Sequence, residues 1–341
     1  MQNQFNNEKS PLKLQNENGF NHLISVNSLV HTADYKTSLD KTQTELEERF
    51  EPKKRDSIFL SDIYKYLGYD DRSLKVFCCG EYLEFKLTKE SGKLHAANFC
   101  KDRLCPMCNW RRSLKLSHQV SKVVDVLQES GYSFLFLTLT IKNCEAIDLA
   151  DTVEKLNSGW RYLYHNNAVF KKQVHGTFRA YEITRNSNNS SFHPHIHVIL
   201  AVRSSYFNGS NYISQKKWVD MWQEALSIDY KPVVDIRAVQ SSKRGVPGAV
   251  AEVAKYSVKG SDYLSQTIEK SADTVSHLLD AISFRRLCSF TGVFAKVRKQ
   301  LKLDSIENGD LVNTDTELNS EVAYQIVRYR WKFGFYALAK Y

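Results

Sequence analysis

The segment SFLFLTLTIKN (133–143) is a near-continuous run of β-favouring residues and predicts a central strand. Before it, Leu114, Val120, Val123, Val124 and Leu127 recur at helical spacing over 113–128, and Gly131 ends that helix. After it, the stretch 148–172 sets Val153, Leu156, Trp160, Leu163 and Tyr164 on one helical face. GTFRAYEITRN (176–186) and FHPHIHVILAV (192–202) read as two strands of a hairpin whose long tip is the turn-rich SNNSS. The pattern then predicts a helix over 218–226, a strand over 233–239 and a helix over 247–259, with Pro247 suited to its first turn. The tail 262–341 alternates helix-like segments with the polar insert DSIENGDLVNTDTELNSE, and no internal repeat is present.

With 341 residues the chain exceeds one typical domain. The patterning divides it into a polar N-terminal arm, partly mobile and with one short helix (1–70), a cysteine-rich module (71–112), a core of strands and helices (113–265) and a basic, helical C-terminal region suited to DNA or an accessory role (266–341). The expected class is α+β: a central antiparallel sheet of about five strands, with helices on one face and the functional site on the other.

Composition is that of an ordinary globular protein, but the formal charge is +9 and the cations sit in clumps such as Lys53–Arg55 and Arg285–Arg286. Such an excess attracts polyanions, nucleic acid first among them. No run approaches a membrane span, and the first thirty residues lack the layout of a secretion signal, so a cytoplasmic address without a membrane partner is expected. In a reducing compartment seven cysteines point to metal chemistry or core packing rather than disulfides.

In HPHIHVIL alternate side chains share a face, so His193, His195 and His197 point one way and Ile196, Val198 and Leu200 the other. Burial of the apolar set leaves imidazoles converging on the opposite surface, where two can bracket a divalent cation. The partner strand offers Glu182 as third ligand, if the register allows. Two imidazoles and a hard carboxylate with open positions suit Mg²⁺ or Mn²⁺ engaged with phosphate oxygens. His193, before a proline, falls outside the expected shell.

In AEVAKYSVK, Glu252 and Tyr256 are four residues apart on a predicted helix and project from one face. A tyrosine beside a cation can attack a phosphodiester, and Glu252 can activate water or hold the nucleophile's proton. Lys255 and Lys259 are placed to steer a DNA backbone.

Taken together and in this order, FLTLTIKN (136–143), HPHIHVIL (193–200) and EVAKYSVK (252–259) resemble the three motifs of HUH endonucleases. The likeness is strongest to plasmid rolling-circle replication initiators of Gram-positive bacteria, in which a glutamate replaces a second tyrosine. It extends over about residues 75 to 265. The resemblance implies that Tyr256 attacks the plus-strand origin, keeps a 5′-phosphotyrosine link and leaves a 3′-hydroxyl for host polymerase. It implies that His195 and His197 hold the cation, that Glu252 activates water for the terminating cleavage, and that Thr138 and Thr140 lie on an architectural or DNA-contacting strand. The third ligand varies among such enzymes. No G-x-x-x-x-G-K-[ST] sequence occurs, so a separate host helicase is implied.

Cys100, Cys105 and Cys108, with Cys78 and Cys79 upstream, have metal-site spacing. Cys79-Gly80 looks like a zinc knuckle, and the family pattern also favours Cys79, giving a structural Zn²⁺ site of Cys79, Cys100, Cys105 and Cys108 with His95 as a fallback. Arg111 and Arg112 follow directly and are expected to face DNA. Two other readings use the same residues: an HUH transposase or mobilisation relaxase, and a non-catalytic zinc DNA-binding protein. Minimal transposases are shorter, and relaxases usually carry the tyrosine before the histidines, whereas Tyr256 follows His197 by 59 positions. The sequence leaves the oligomeric state, monomer or dimer, open.

Overall fold

A computed structural model describes residues 32–186, 189–239, 245–254, 260–264, 267–314 and 323–339. Two antiparallel sheets organise the chain. The helices α1 (Thr32–Glu45), α2 (Glu51–Tyr66) and α3 (Asp70–Phe77) lead into strands β1 (Tyr82–Leu87) and β2 (Gly92–Ala97), and a long helix α4 (Pro106–Glu129) follows. Then come β3 (Tyr132–Thr140), α5 (Leu149–Asn166), α6 (Ala168–Gln173), β4 (Gly176–Arg185), β5 (Phe192–Arg203), α7 (Gln215–Leu226), β6 (Val234–Val239) and α8 (Gly245–Val253). The chain closes with α9 (Gly260–Tyr263), α10 (Ile268–Ile282), β7 (Cys288–Thr291), α11 (Gly292–Gln300), β8 (Gln325–Lys332) and β9 (Phe335–Leu338). No helix among the described residues is long and apolar enough to cross a membrane.

The larger sheet has the order β6-β3-β5-β4-β7. Its five strands match the expected number, but helices cover both faces rather than one. The reason lies in β3 and β5, which are apolar at both parities along most of their length. Leu135, Leu137, Leu139, Ile196, Val198 and Leu200 pack under α5 and α7 around Trp160, Trp218 and Trp222. On the other face Phe134, Phe136, Phe178, Ile199 and Ala201 pack under α4, α8 and α11. At one end of that second face the apolar residues give way to Thr138, Thr140, His195 and His197. The strand register thus leaves a polar end on a sheet face that is otherwise sealed.

The smaller sheet, β2-β1-β8-β9, pairs segments more than two hundred residues apart, as in Phe85 opposite Val327. Its inward side, Leu83, Phe85, Leu87, Val327, Tyr329 and Tyr336, closes over Leu46, Phe50, Leu60, Ile63 and the start of α4. Residues 32–66 are therefore a helical wall of a core, not a polar arm, and the C-terminal region contributes strands to the N-terminal module. The expected boundaries at 70 and 266 both cut through this one layer.

Candidate metal centres

Antiparallel pairing of β4 with β5 sets Glu182 directly opposite His195, and pairing of β3 with β5 sets Thr138 opposite His197. Side chains on one pleat face then converge. Glu182 Oε2 lies 3.1 Å from His195 Nε2 and 2.9 Å from His197 Nε2, and the two Nε2 atoms are 3.0 Å apart. All three residues are buried. Three donor atoms at the corners of a nearly equilateral triangle match one face of an octahedron with bonds of about 2.1 Å, whose edge is about 3.0 Å. A tetrahedral site at the same bond length would need about 3.4 Å. The donor set, one carboxylate and two imidazoles, is a facial arrangement that leaves remaining positions open. These residues can hold a hard divalent cation such as Mg²⁺ or Mn²⁺.

Ligand tautomers are set from behind. His195 Nδ1 donates to the carbonyl of His193 at 3.0 Å, which turns its Nε2 lone pair toward the triangle. His197 Nδ1 lies 3.1 Å from the Thr138 hydroxyl oxygen, to which it would donate when Nε2 is given to a cation. Thr138 is thus engaged with His197 within the sheet, and Thr140 is tied to the Val233 carbonyl at 2.8 Å. Both hydroxyls are held within the protein, in line with the architectural side of the expectation for this strand. His193 stays outside the triangle, with its Nδ1 donating to the Asn143 side-chain carbonyl at 2.7 Å. Thr138→Val is expected to weaken Mn²⁺ binding about 10–100-fold, the usual effect of removing a ligand's hydrogen-bond partner. Calorimetric titration checks this, and an unchanged affinity would remove Thr138 from the site.

Helix α8 lies over the same sheet face, packed on α4 and β5, with Val250, Val253 and Ala254 joining the core that Ile199 and Ala201 form. It carries Glu252, half-buried, and ends at Val253. Tyr256, Lys255 and Lys259 lie outside the described residues. At the sheet edge the exposed Arg237 of β6, opposite Phe136 in register, holds its guanidinium over that ring at 5.6 Å. It is ion-paired with Asp235 at 2.8 Å, and motif spacing did not single it out.

The second cluster forms where α3, β2 and α4 meet. Cys79 Sγ lies 3.5 Å from Cys108 Sγ and 3.6 Å from Cys105 Sγ, and Cys100 Sγ lies 3.7 Å from Cys108 Sγ. Four thiolates around Zn²⁺ at about 2.3 Å have an edge of about 3.8 Å, so the spacing fits a tetrahedral site and is far too long for disulfides. The backbone N–H groups of Cys100, Lys101 and Asp102 donate to the sulfurs of Cys79, Cys108 and Cys100. Gly80 at φ 64° lets the chain turn after Cys79. The buried ammonium of Lys54 donates to the Cys79 carbonyl at 2.9 Å; burial lowers its pKa, and the neighbouring Cys79 thiol opposes that shift. His95 is not in the cluster and lies 3.8 Å from Glu84. Cys78 is likewise outside it.

Arg111 and Arg112 do not face outward. Arg111 is buried and donates to the carbonyls of Leu311 and Val312, and Arg112 to those of Lys101, Asp102 and Glu307. Their period on α4 turns them toward the 304–314 segment, so they are structural clamps rather than DNA contacts.

No solved structure matches the chain. The model of the replication protein family Rep_1 matches residues 91–337. The "Protein rep" of Streptococcus pneumoniae serotype 2 is 40% identical over 295 residues, covering 84% of this chain and 90% of that protein. The "Protein rep" of Bacillus amyloliquefaciens is 36% identical over 330 residues, covering 88% and 96%, and that of Lactiplantibacillus plantarum is 36% identical over 307 residues, covering 86% and 96%. Family match and near full-length relatives agree, and the chain belongs to the Rep_1 replication protein family.

Proposed function

We propose that this protein initiates plasmid rolling-circle replication: it binds the double-strand origin, nicks the plus strand and remains joined to its 5′ end. The observation that carries the reading is the triangle of Glu182, His195 and His197, with donor atoms about 3 Å apart, on the sheet face beneath the helix that leads toward Tyr256. A divalent cation held there supplies positive charge to the non-bridging oxygens of a phosphodiester. In this reading the phenolic oxygen of Tyr256 attacks phosphorus, the bond to the 3′-oxygen breaks, and that oxygen leaves as a hydroxyl that primes host polymerase. The phenol gives up its proton as the new bond forms and the leaving 3′-oxygen takes one up, so the exchange is proton-neutral overall. Lys255, Lys259 and the exposed Arg237 steer the strand's phosphates. A host helicase unwinds ahead of the polymerase.

Glu252 takes the closing step. Its carboxylate removes a proton from water that cleaves the regenerated origin, so the cycle ends without a second tyrosine. Glu252→Ala is expected to nick at close to the normal rate and to release few monomeric circles. A normal yield of circles from this variant would assign the water step elsewhere.

The replication relatives, matched over most of their length, favour this reading over transposition or plasmid transfer. The test is direct. The protein is incubated with Mn²⁺ and single-stranded plasmid origin DNA, and a denaturing gel is scanned for a covalent adduct. Mass spectrometry of the digested adduct is expected to place the nucleotide on Tyr256. An adduct elsewhere, or none at all, would overturn the proposal.

A further inference from the structure

The hairpin of β8 and β9 turns through two residues, Phe333 and Gly334, with Lys332 paired to Phe335. Both turn residues have positive φ, 51° and 89°, the backbone that favours Asn-Gly or Gly-Gly. Glycine adopts it freely, but a phenylalanine there is strained. Phe333 is also 95% exposed, so its ring gains nothing from burial in return. One residue thus carries both a steric and a hydration cost, which asks for a function.

The surroundings indicate the partner. Inward residues Tyr329 and Tyr336 anchor the hairpin in the core, and the Arg55 guanidinium donates to the Gly334 carbonyl at 3.2 Å, bracing the turn. Outward, Arg330 and Lys332 are exposed, and among the described residues neither is ion-paired. Arg328, further down the strand, is matched by Glu84 at 2.7 Å. Of the cations on β8 itself, the two nearest the tip lack a carboxylate partner among the described residues, whereas Arg55, which braces the turn, is paired with Glu51 at 3.3 Å. A braced two-stranded ribbon with a bare aromatic apex and cationic flanks has the chemistry of a wedge for duplex DNA. Phosphates meet the cations while the apolar tip enters a base step.

We infer that the β8–β9 hairpin binds duplex DNA and inserts Phe333 between base pairs, unstacking the step. The inference rests on the replication reading for its purpose: a strand must leave the duplex before it can be nicked, and no G-x-x-x-x-G-K-[ST] sequence occurs in the chain.

The experiment uses the full chain with poly(dA-dT) duplex substituted with 2-aminopurine, whose fluorescence rises on unstacking. The parent protein is expected to raise the signal. Phe333→Asn, which supplies the favoured turn residue, should lose most of that rise while its Tm stays equal or increases. It should still form the tyrosine adduct on single-stranded origin DNA at the parent's rate. Arg330→Ala with Lys332→Ala should lower the slope of log Kd against log salt by about 2, one phosphate contact for each cation. A full fluorescence rise with Phe333→Asn, a lowered Tm for it, or an unchanged salt slope would each overturn the inference. So would loss of self-association in Phe333→Asn without any duplex signal in the parent, which would make the tip an interface between copies. Absence of adduct in the parent would instead count against nicking and leave the wedge measurement standing.

Discussion

His197→Ala should lower the rate of adduct formation on single-stranded origin DNA by about 10³-fold, and Tyr256→Phe should abolish the adduct altogether. The two losses have different causes, and a second measurement separates them. His197 supplies one corner of a triangle whose other corners are 2.9 and 3.0 Å away. Without it the site keeps one imidazole and one carboxylate, too few to fix a hard cation against solvent water. The charge stabilisation lost from the transition state is several kcal/mol, about 4 for a thousandfold change. A folded protein that binds Mn²⁺ at a hundred times Kd gains about 2.7 kcal/mol. The parent should therefore melt higher with Mn²⁺, His197→Ala should show little of that shift, and Tyr256→Phe should retain it. A His197→Ala protein that keeps both the Mn²⁺ shift and the adduct would show that the triangle is a buried polar cluster without catalytic use.

That triangle was largely legible in the linear chain, because its geometry follows from period-two alternation. H-x-H on a strand places both imidazoles on one face by necessity, and a hairpin partner with a single carboxylate can meet them in few registers. The register that occurs sets Glu182 on His195. The cysteine cluster was legible for a similar reason: three of its members lie within nine residues, close enough for local turns to gather them.

What the sequence concealed is long-range. Residues 32–66 look polar because the apolar stripe, Leu46, Phe50, Leu60, Ile63 and Tyr64, is narrow, and the other buried positions are polar: Ser38, Thr42, Glu51, Lys54, Ser57 and Ser61. Strands β1 and β8 are each short and rich in charge, and nothing local in either announces a partner hundreds of positions away. The helices on both faces were readable in principle from the unbroken apolar run of β3, since a strand exposed on one side would have alternated. Arg111 and Arg112 were misplaced by treating charge as exposure. Their guanidinium groups bond backbone carbonyls of two irregular segments, Asp102 in one and Glu307, Leu311 and Val312 in the other. The position of Tyr256 lies outside the described residues, so its role is carried by motif order and by the placement of α8.

Cys105→Ser should have the largest effect on stability. Cys105 is fully buried between Cys79, at 3.6 Å, and the Ser57 hydroxyl, at 3.4 Å, and begins the long helix α4. Apparent zinc-binding free energies in small thiolate and imidazole sites are about 10–16 kcal/mol, comparable with the whole stability of a domain. The parent is expected to hold about one equivalent of zinc resistant to weak chelators, and the variant close to none. Without a metal the four sulfurs lose their common partner, and the loop that the three N–H···S bonds and the Lys54–Cys79 carbonyl bond organise is held less firmly. The core built on them spans Leu46, Phe50, Leu83, Phe85, Val327 and Tyr336. Hydrogen exchange should therefore speed up not only in 79–108 but also in α2 and in β1 and β8, whose pairing depends on that core. The central strands β3 and β5 lie between two other cores and should keep their protection. Unchanged zinc content in Cys105→Ser would remove the metal from the cluster. Uniform loss of protection across both sheets would show that the two layers unfold as one, and that the cysteine centre also holds the imidazole triangle in place.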